Sequence, residues 1–80
     1  MNKITKTIFE RAYQSYLCGG DVYTYRFESS GTIMLKKYDD AIKYLESEGL
    51  IEVKFRSDDK VRLTLTDKGI AEGNQLLDIL

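Results

Sequence analysis

The chain has 80 residues, of which 31% are charged, with 12 basic and 13 acidic side chains giving a net charge of −1, one cysteine, no histidine and no proline. That length supports one domain, residues 1–80, burying only about 60% of the surface its unfolded chain exposes, so a dimer interface is a natural supplement to its core. Without histidine there is no Ser-His-Asp or Cys-His nucleophilic set, and the lone Cys18 leaves neither an internal disulfide nor a structural zinc site.

The first element is an amphipathic helix. Ile4, Ile8, Ala12 and Tyr16 form one row at four-residue spacing and Phe9, Tyr13 and Leu17 the adjacent row, with Lys6, Glu10, Arg11 and Gln14 off the stripe. Gly19 and Gly20 stop it, since glycine takes the left-handed conformation that closes a last turn. Cys18, at the helix end, is expected to behave as a small buried apolar residue. Next, "VYTYRF" (Val22–Phe27) alternates and is rich in aromatic and β-branched residues, which predicts a short strand. Tyr23 and Tyr25 share one face of it, either half-buried or turned toward a partner. "ESSG" reads as a turn or a helix start.

From Thr32 two readings stay open. Met34, Leu35, Tyr38, Ala41, Ile42 and Leu45 fit one helical face, but a strand over Thr32–Lys36 followed by a helix from Tyr38 competes. The helix ends near Glu48, with Gly49 just past its cap. Leu50, Ile51, Val53 and Phe55 begin an alternating strand, "SDDK" (Ser57–Lys60) makes a turn, and Val61, Leu63 and Leu65 return opposite Arg62, Thr64 and Thr66. Thr66 or Asp67 caps a last helix, Lys68–Leu80. Gly69 and Gly73 weaken that helix. Its greasy end, "LLDIL", either packs on the first helix or pairs with a second copy.

The stretches "AIKYLESEGLIEV" and "VRLTLTDKGI" resemble the recognition-helix exit and the returning wing strand of MarR-type and PadR-type winged helix-turn-helix regulators. The resemblance covers about Tyr38 to Gly73 and implies an α+β, mainly helical fold: a winged helix-turn-helix with a two-stranded wing and a C-terminal helix, plus a possible extra strand near residues 22–27. Asp21–Leu35 departs from the pattern, lacking the small, alanine-rich helix such regulators place before the turn. The implied function is sequence-specific binding of double-stranded DNA in transcription regulation, as a homodimer joined through the terminal helices. In that reading Lys36 and Lys37 hold phosphates, Lys43, Tyr44 and Ser47 face base edges in the major groove, and Lys54, Arg56, Lys60 and Arg62 serve the wing.

Two features favour a protein partner instead. Asp39, Asp40, Glu46 and Glu48 share the presumed recognition helix with Lys43, and Ile51–Thr66 sums to only +1, four cations against three acids. Cations gathered on one face favour DNA; acids mixed among them favour a protein-interaction module. An enzyme is not expected. The pairs Asp39/Asp40 and Asp58/Asp59 are adjacent residues of a helix and a turn, and no phosphate-binding glycine loop is present. Lys3, Lys6, Glu10 and Arg11 break up the first apolar residues, and no run approaches the roughly 18 of a membrane span. The expectation is a soluble cytoplasmic protein with no cofactor and no membrane partner.

Overall fold

The computed structural model describes residues 1–79, with the side chains of residues 77–79 outside the description. The described residues form three helices and three strands, in the order α1 (Lys3–Leu17), β1 (Tyr23–Arg26), α2 (Thr32–Ser47), β2 (Ile51–Arg56), β3 (Lys60–Leu65) and α3 (Asp67–Ile79). The class is α+β, mainly helical, with one antiparallel sheet in the order β1-β3-β2. The hairpin β2–β3 is therefore no free two-stranded wing. β1 pairs along the other side of β3, with Tyr23 opposite Leu63 and Arg26 opposite Lys60.

α1 starts where Asn2 accepts the Thr5 backbone N–H at 2.8 Å, which satisfies one of the first-turn donors that a helix leaves unpaired. Its buried face is Thr5, Ile8, Phe9, Ala12 and Tyr13. The expected stripe does not continue to the end: Tyr16 and Leu17 are exposed, and so is Cys18, because the last turn and its cap lie beyond the packed part of the helix. Gly19 ends the helix at φ 90°.

α2 begins at Thr32, so the strand reading of Thr32–Lys36 is excluded and Met34 and Leu35 belong to the helix. A short loop links it to β1, and among the described residues no further helix stands between β1 and α2 to complete a helix-turn-helix pair. The helix buries Tyr38, Ala41, Ile42 and Leu45. Its exit is a Schellman motif: the Leu50 N–H donates to the Leu45 carbonyl at 3.0 Å and the Gly49 N–H to Glu46 at 2.9 Å. Gly49 sits at φ 72°, where a side chain would be strained. Leu50 and Ile51 then enter the core directly.

That joint is tied to α3. Thr66 donates its hydroxyl to the Gly49 carbonyl at 2.5 Å and accepts the Gly69 N–H at 3.0 Å, so Thr66 is the cap of α3. Lys68 donates to the Glu48 carbonyl at 2.7 Å, placing a cation at the negative end of α2. The two glycines of α3 are sites of close approach. A side chain at Gly69 would overlap the Leu50 carbonyl, and one at Gly73 the ring of Tyr13. The Tyr13 hydroxyl also bonds Asn74, holding α3 against α1. Leu76 is exposed, whereas Leu77, Ile79 and Leu80, the rest of the apolar end, lie outside the described side chains.

The core lies between the sheet and the pair α1–α2. Ile8 and Phe9 of α1, Leu45 of α2, and Val61 and Leu63 of the central strand are its most deeply buried side chains. Burial of one such side chain stabilises by about 1.5–3 kcal/mol. Among the described residues no helix is long and apolar enough to cross a membrane.

Candidate nucleic-acid interface

The residues read from the sequence as DNA contacts fall on two surfaces that the fold treats differently. The first is the polar side of α2. Lys36, Lys37, Lys43, Tyr44 and Ser47 are all exposed there, along with Ile33 in the first turn. Helical spacing brings acids against these cations. Lys36 meets Asp40 at 3.3 Å and Lys43 meets Asp39 at 3.0 Å, each one turn apart. Ser47 gives its hydroxyl to the Tyr44 carbonyl at 2.9 Å, a bond inside the helix. Lys37 makes no salt bridge among the described residues.

Arg56 joins this first surface from β2, and a β-bulge is the reason. Val53 pairs with Leu63, but Phe55 pairs with Arg62, so Lys54 is an extra residue without a partner. One extra residue exchanges the faces of everything after it. Phe55, expected on the core side, turns outward and is 46% exposed. Arg56 turns inward toward α2 and reaches Asp39 at 2.7 Å, with its guanidinium 5.0 Å from the centre of the Phe27 ring. Phe27 in turn stacks on Tyr38 at 4.8 Å, which backs the arginine with aromatic surface. Asp39 thus stands between two cations. Its hydrogen bond to Arg56, then that to Lys43, holds its carboxyl below the usual aspartate range.

The second surface is the outer face of the sheet. α1 and α2 cover the inner face, where Tyr25, Val61 and Leu63 are buried and Tyr23 half-buried, so both strand tyrosines face the core. Cross-strand partners share a face. The register therefore puts Thr24, Arg62 and Phe55 side by side, with Arg26 and Lys60 as the neighbouring pair. Lys54 lies on the same side and touches Glu52 at 3.5 Å. Arg26, Lys60 and Arg62 make no salt bridge among the described residues. The Arg62 guanidinium lies 5.6 Å from the centre of the Phe55 ring. At the hairpin tip, Ser57 donates its hydroxyl to Asp59 at 2.6 Å. That bond lowers the Asp59 carboxyl, with Lys60 and Arg26 contributing through space.

Two residues of this face are absent from the contacts expected from sequence. Arg26 reads locally as one residue of an uncertain strand, and only its pairing with Lys60 brings it to the hairpin. Phe55 reads as core because alternation from Ile51 through Val53 places it inward; nothing in "IEVKFR" marks the bulge.

Two shallow clefts flank the contact of α1 with α2. One, of about 280 Å³, is lined by Met1, Asn2, Thr5, Asp40 and Tyr44. The other, of about 250 Å³, lies between Ile4, Tyr25, Met34 and Tyr38 and is bridged by Arg11 and Glu28 at 3.4 Å. Both are below the usual size of a site for a drug-sized ligand. No family model, no curated protein and no solved structure matches the chain.

Proposed function

We propose that this chain is a small nucleic-acid-binding module of winged-helix type, whose contact surface is the outer sheet face and hairpin more than the polar side of α2. One observation carries the reading: Arg26, Lys60 and Arg62 share an exposed face with Lys54 and an outward phenylalanine, and the first three have no carboxylate within salt-bridge distance among the described residues. Each such cation that meets a phosphate releases a counterion and raises affinity, whereas a cation already held by a carboxylate gains less. The glycine joint at Gly49 and the hairpin after it support the winged-helix type, since the resemblance rests on those two stretches.

The test is retention of a mixed pool of random duplex and single-stranded oligonucleotides at low and at moderate salt, with sequencing of what stays bound. Salt-dependent retention that disappears in the Arg26→Glu/Arg62→Glu variant is the expected result. An enriched palindromic motif would identify a dimeric, sequence-specific regulator. A folded protein that retains nothing at low salt overturns the reading.

The polar side of α2 supports a second reading, docking of a protein. Its cations alternate with their own acids, and Ile33 and Tyr44 stand exposed among them. A photoreactive residue at position 33 would give one discrete protein adduct in cells if that reading holds, and none if it fails. A homodimer through the terminal helices is proposed on the exposed Tyr16 and Leu17 of α1 and Leu76 of α3. Sedimentation equilibrium at micromolar concentration checks it.

A further inference from the structure

The outer sheet face combines two kinds of group that act on different parts of a nucleic acid. Arg26, Lys60, Arg62 and Lys54 are charges for phosphates. Phe55 is a flat apolar ring, 46% exposed on an edge strand, in a domain that otherwise keeps Phe9 buried and Phe27 stacked on Tyr38. Its exposure follows from the bulge at Lys54, which costs the sheet a ladder position and the core a phenylalanine. The Arg62 guanidinium lies over one face of the ring, 5.6 Å from its centre, and leaves the other face to a base.

We infer that this face binds single-stranded nucleic acid, with an unpaired base stacked on Phe55 and the adjoining phosphates held by Arg26, Lys60 and Arg62. The inference rests on the nucleic-acid reading above and adds the state of the strand. A base inside a duplex has both faces covered by its neighbours, so a flat ring reaches a face there only by prying a base step apart, at a cost of about a few kcal/mol. An unpaired base offers its whole face, and aromatic stacking with nearby cations is the common means of holding such strands without reading their sequence. The geometry is compact enough for one short segment. Adjacent strands lie about 4.8 Å apart, and same-face residues about 6.8 Å apart along a strand, so the ring and the three unpaired cations fall within about 10–15 Å of one another. Glu52 and Asp59 border the patch at its ends, Glu52 against Lys54 and Asp59 near Lys60, and leave the centre at Arg62 and Phe55 positive and apolar.

The probe is a fluorescein-labelled oligothymidylate of about 12 nucleotides, within the ~4–16 nucleotides such sites cover, compared with a blunt duplex of equal length and an oligouridylate. Anisotropy titrations at several salt concentrations with the full chain should show the single strand bound more tightly than the duplex. The expected slope of log affinity against log salt is about −2 for three phosphate contacts on a single strand. Phe55→Ala should lower single-strand affinity about tenfold or more, with the protein still folded because the ring lies outside the core. Phe55→Trp should restore binding, which a merely structural role would not produce. Tighter retention of either single strand than of the duplex, weakened by Phe55→Ala, upholds the inference, and the tighter of the two names its sugar. Equal binding of duplex and single strand, unaffected by Phe55→Ala, overturns it and leaves the nucleic-acid reading standing. Absence of binding to any of the three at low salt removes both.

Discussion

The polar side of α2 and the outer face of the sheet carry the same kinds of side chain and dispose of their charge in opposite ways. On the helix, residues four apart are neighbours, and this sequence sets Asp40 after Lys36 and Lys43 after Asp39 at that spacing. Arg56, delivered by the bulge, completes a cluster in which one carboxylate serves two cations. On the sheet, cross-strand neighbours come from distant parts of the chain. Pairing places Arg26 beside Lys60 and Arg62 beside Phe55, and the only strand carboxylate, Glu52, is engaged with Lys54. A helix face thus supplies its own counter-charges from local sequence, whereas a sheet face collects charge from three segments and is left open. An anion arriving from outside competes with protein carboxylates at the first surface and with water and salt at the second.

The largest expected effect tests whether the two surfaces depend on one scaffold. Leu50, buried at the joint between α2 and β2, should cost about 2–5 kcal/mol when replaced by alanine, measured by urea unfolding. A Leu50→Ala protein of full stability would mean that the joint does not hold the two surfaces together.

The next largest separates them. Arg26→Glu/Arg62→Glu should weaken oligonucleotide binding on the order of 100-fold, since two favourable phosphate contacts become repulsive. Lys36→Glu/Lys43→Glu should change it by only about threefold, because those charges are already compensated. Equal losses in the two variants would break the comparison.

A smaller effect sharpens it. Asp39→Asn releases Lys43 and Arg56 together, so affinity for oligonucleotide should rise a few-fold and its salt dependence steepen if the helix side lies within reach of the strand. An unchanged affinity confines binding to the sheet. The same substitution should cost at most about 1 kcal/mol of stability, the scale of exposed ion pairs.

The smallest effect is the pH dependence of that cluster. Asp39 is held below the usual aspartate range by Arg56 first and Lys43 second. A carboxyl whose folded value is depressed contributes stability that is complete above its unfolded value, about 3.9, and that is lost as pH falls through the folded value. Stability near neutral pH should therefore be flat with respect to Asp39, with its contribution fading only below about pH 4. Carboxyl titration by NMR should find Asp39 ionising at lower pH than an aspartate in a short peptide, and Arg56→Ala should move it upward.

How much of this is legible in the sequence follows the range of the interactions. The end of α1 at Gly19, the Schellman exit at Gly49, the hairpin turn at Ser57–Lys60 and the Thr66 cap are all set by residues within a few positions of one another, and each stands where the local pattern puts it. The extent of α2 is less readable. Thr32–Lys36 fits a strand or a helix by periodicity alone, and packing of Met34 and Leu35 against the core decides for the helix. The apolar stripe of α1 overstates its burial at Tyr16 and Leu17, because periodicity marks a face without marking where the neighbouring elements stop.

The candidate surface divides along the same line. That Lys36, Lys37, Lys43, Lys54, Arg56, Lys60 and Arg62 belong to the α2 end and the hairpin is a matter of chain position, and sequence sufficed for it. Which of them are free is not local. Arg56 and Asp39 lie 17 residues apart and meet only because a bulge at Lys54 exchanges the faces of β2. Phe55 is outward for the same reason, and Arg26 reaches the hairpin only through pairing of β1 with β3. The sequence by itself determined most of the elements, where α1 and α2 stop, and the glycine joint, since these depend on backbone conformation and nearest neighbours. Strand register, the bulge and the partnering of charges were decided by the tertiary structure. Each of these is a choice among pairings of distant segments, made by whichever pairing buries Val61 and Leu63 against α1 and α2.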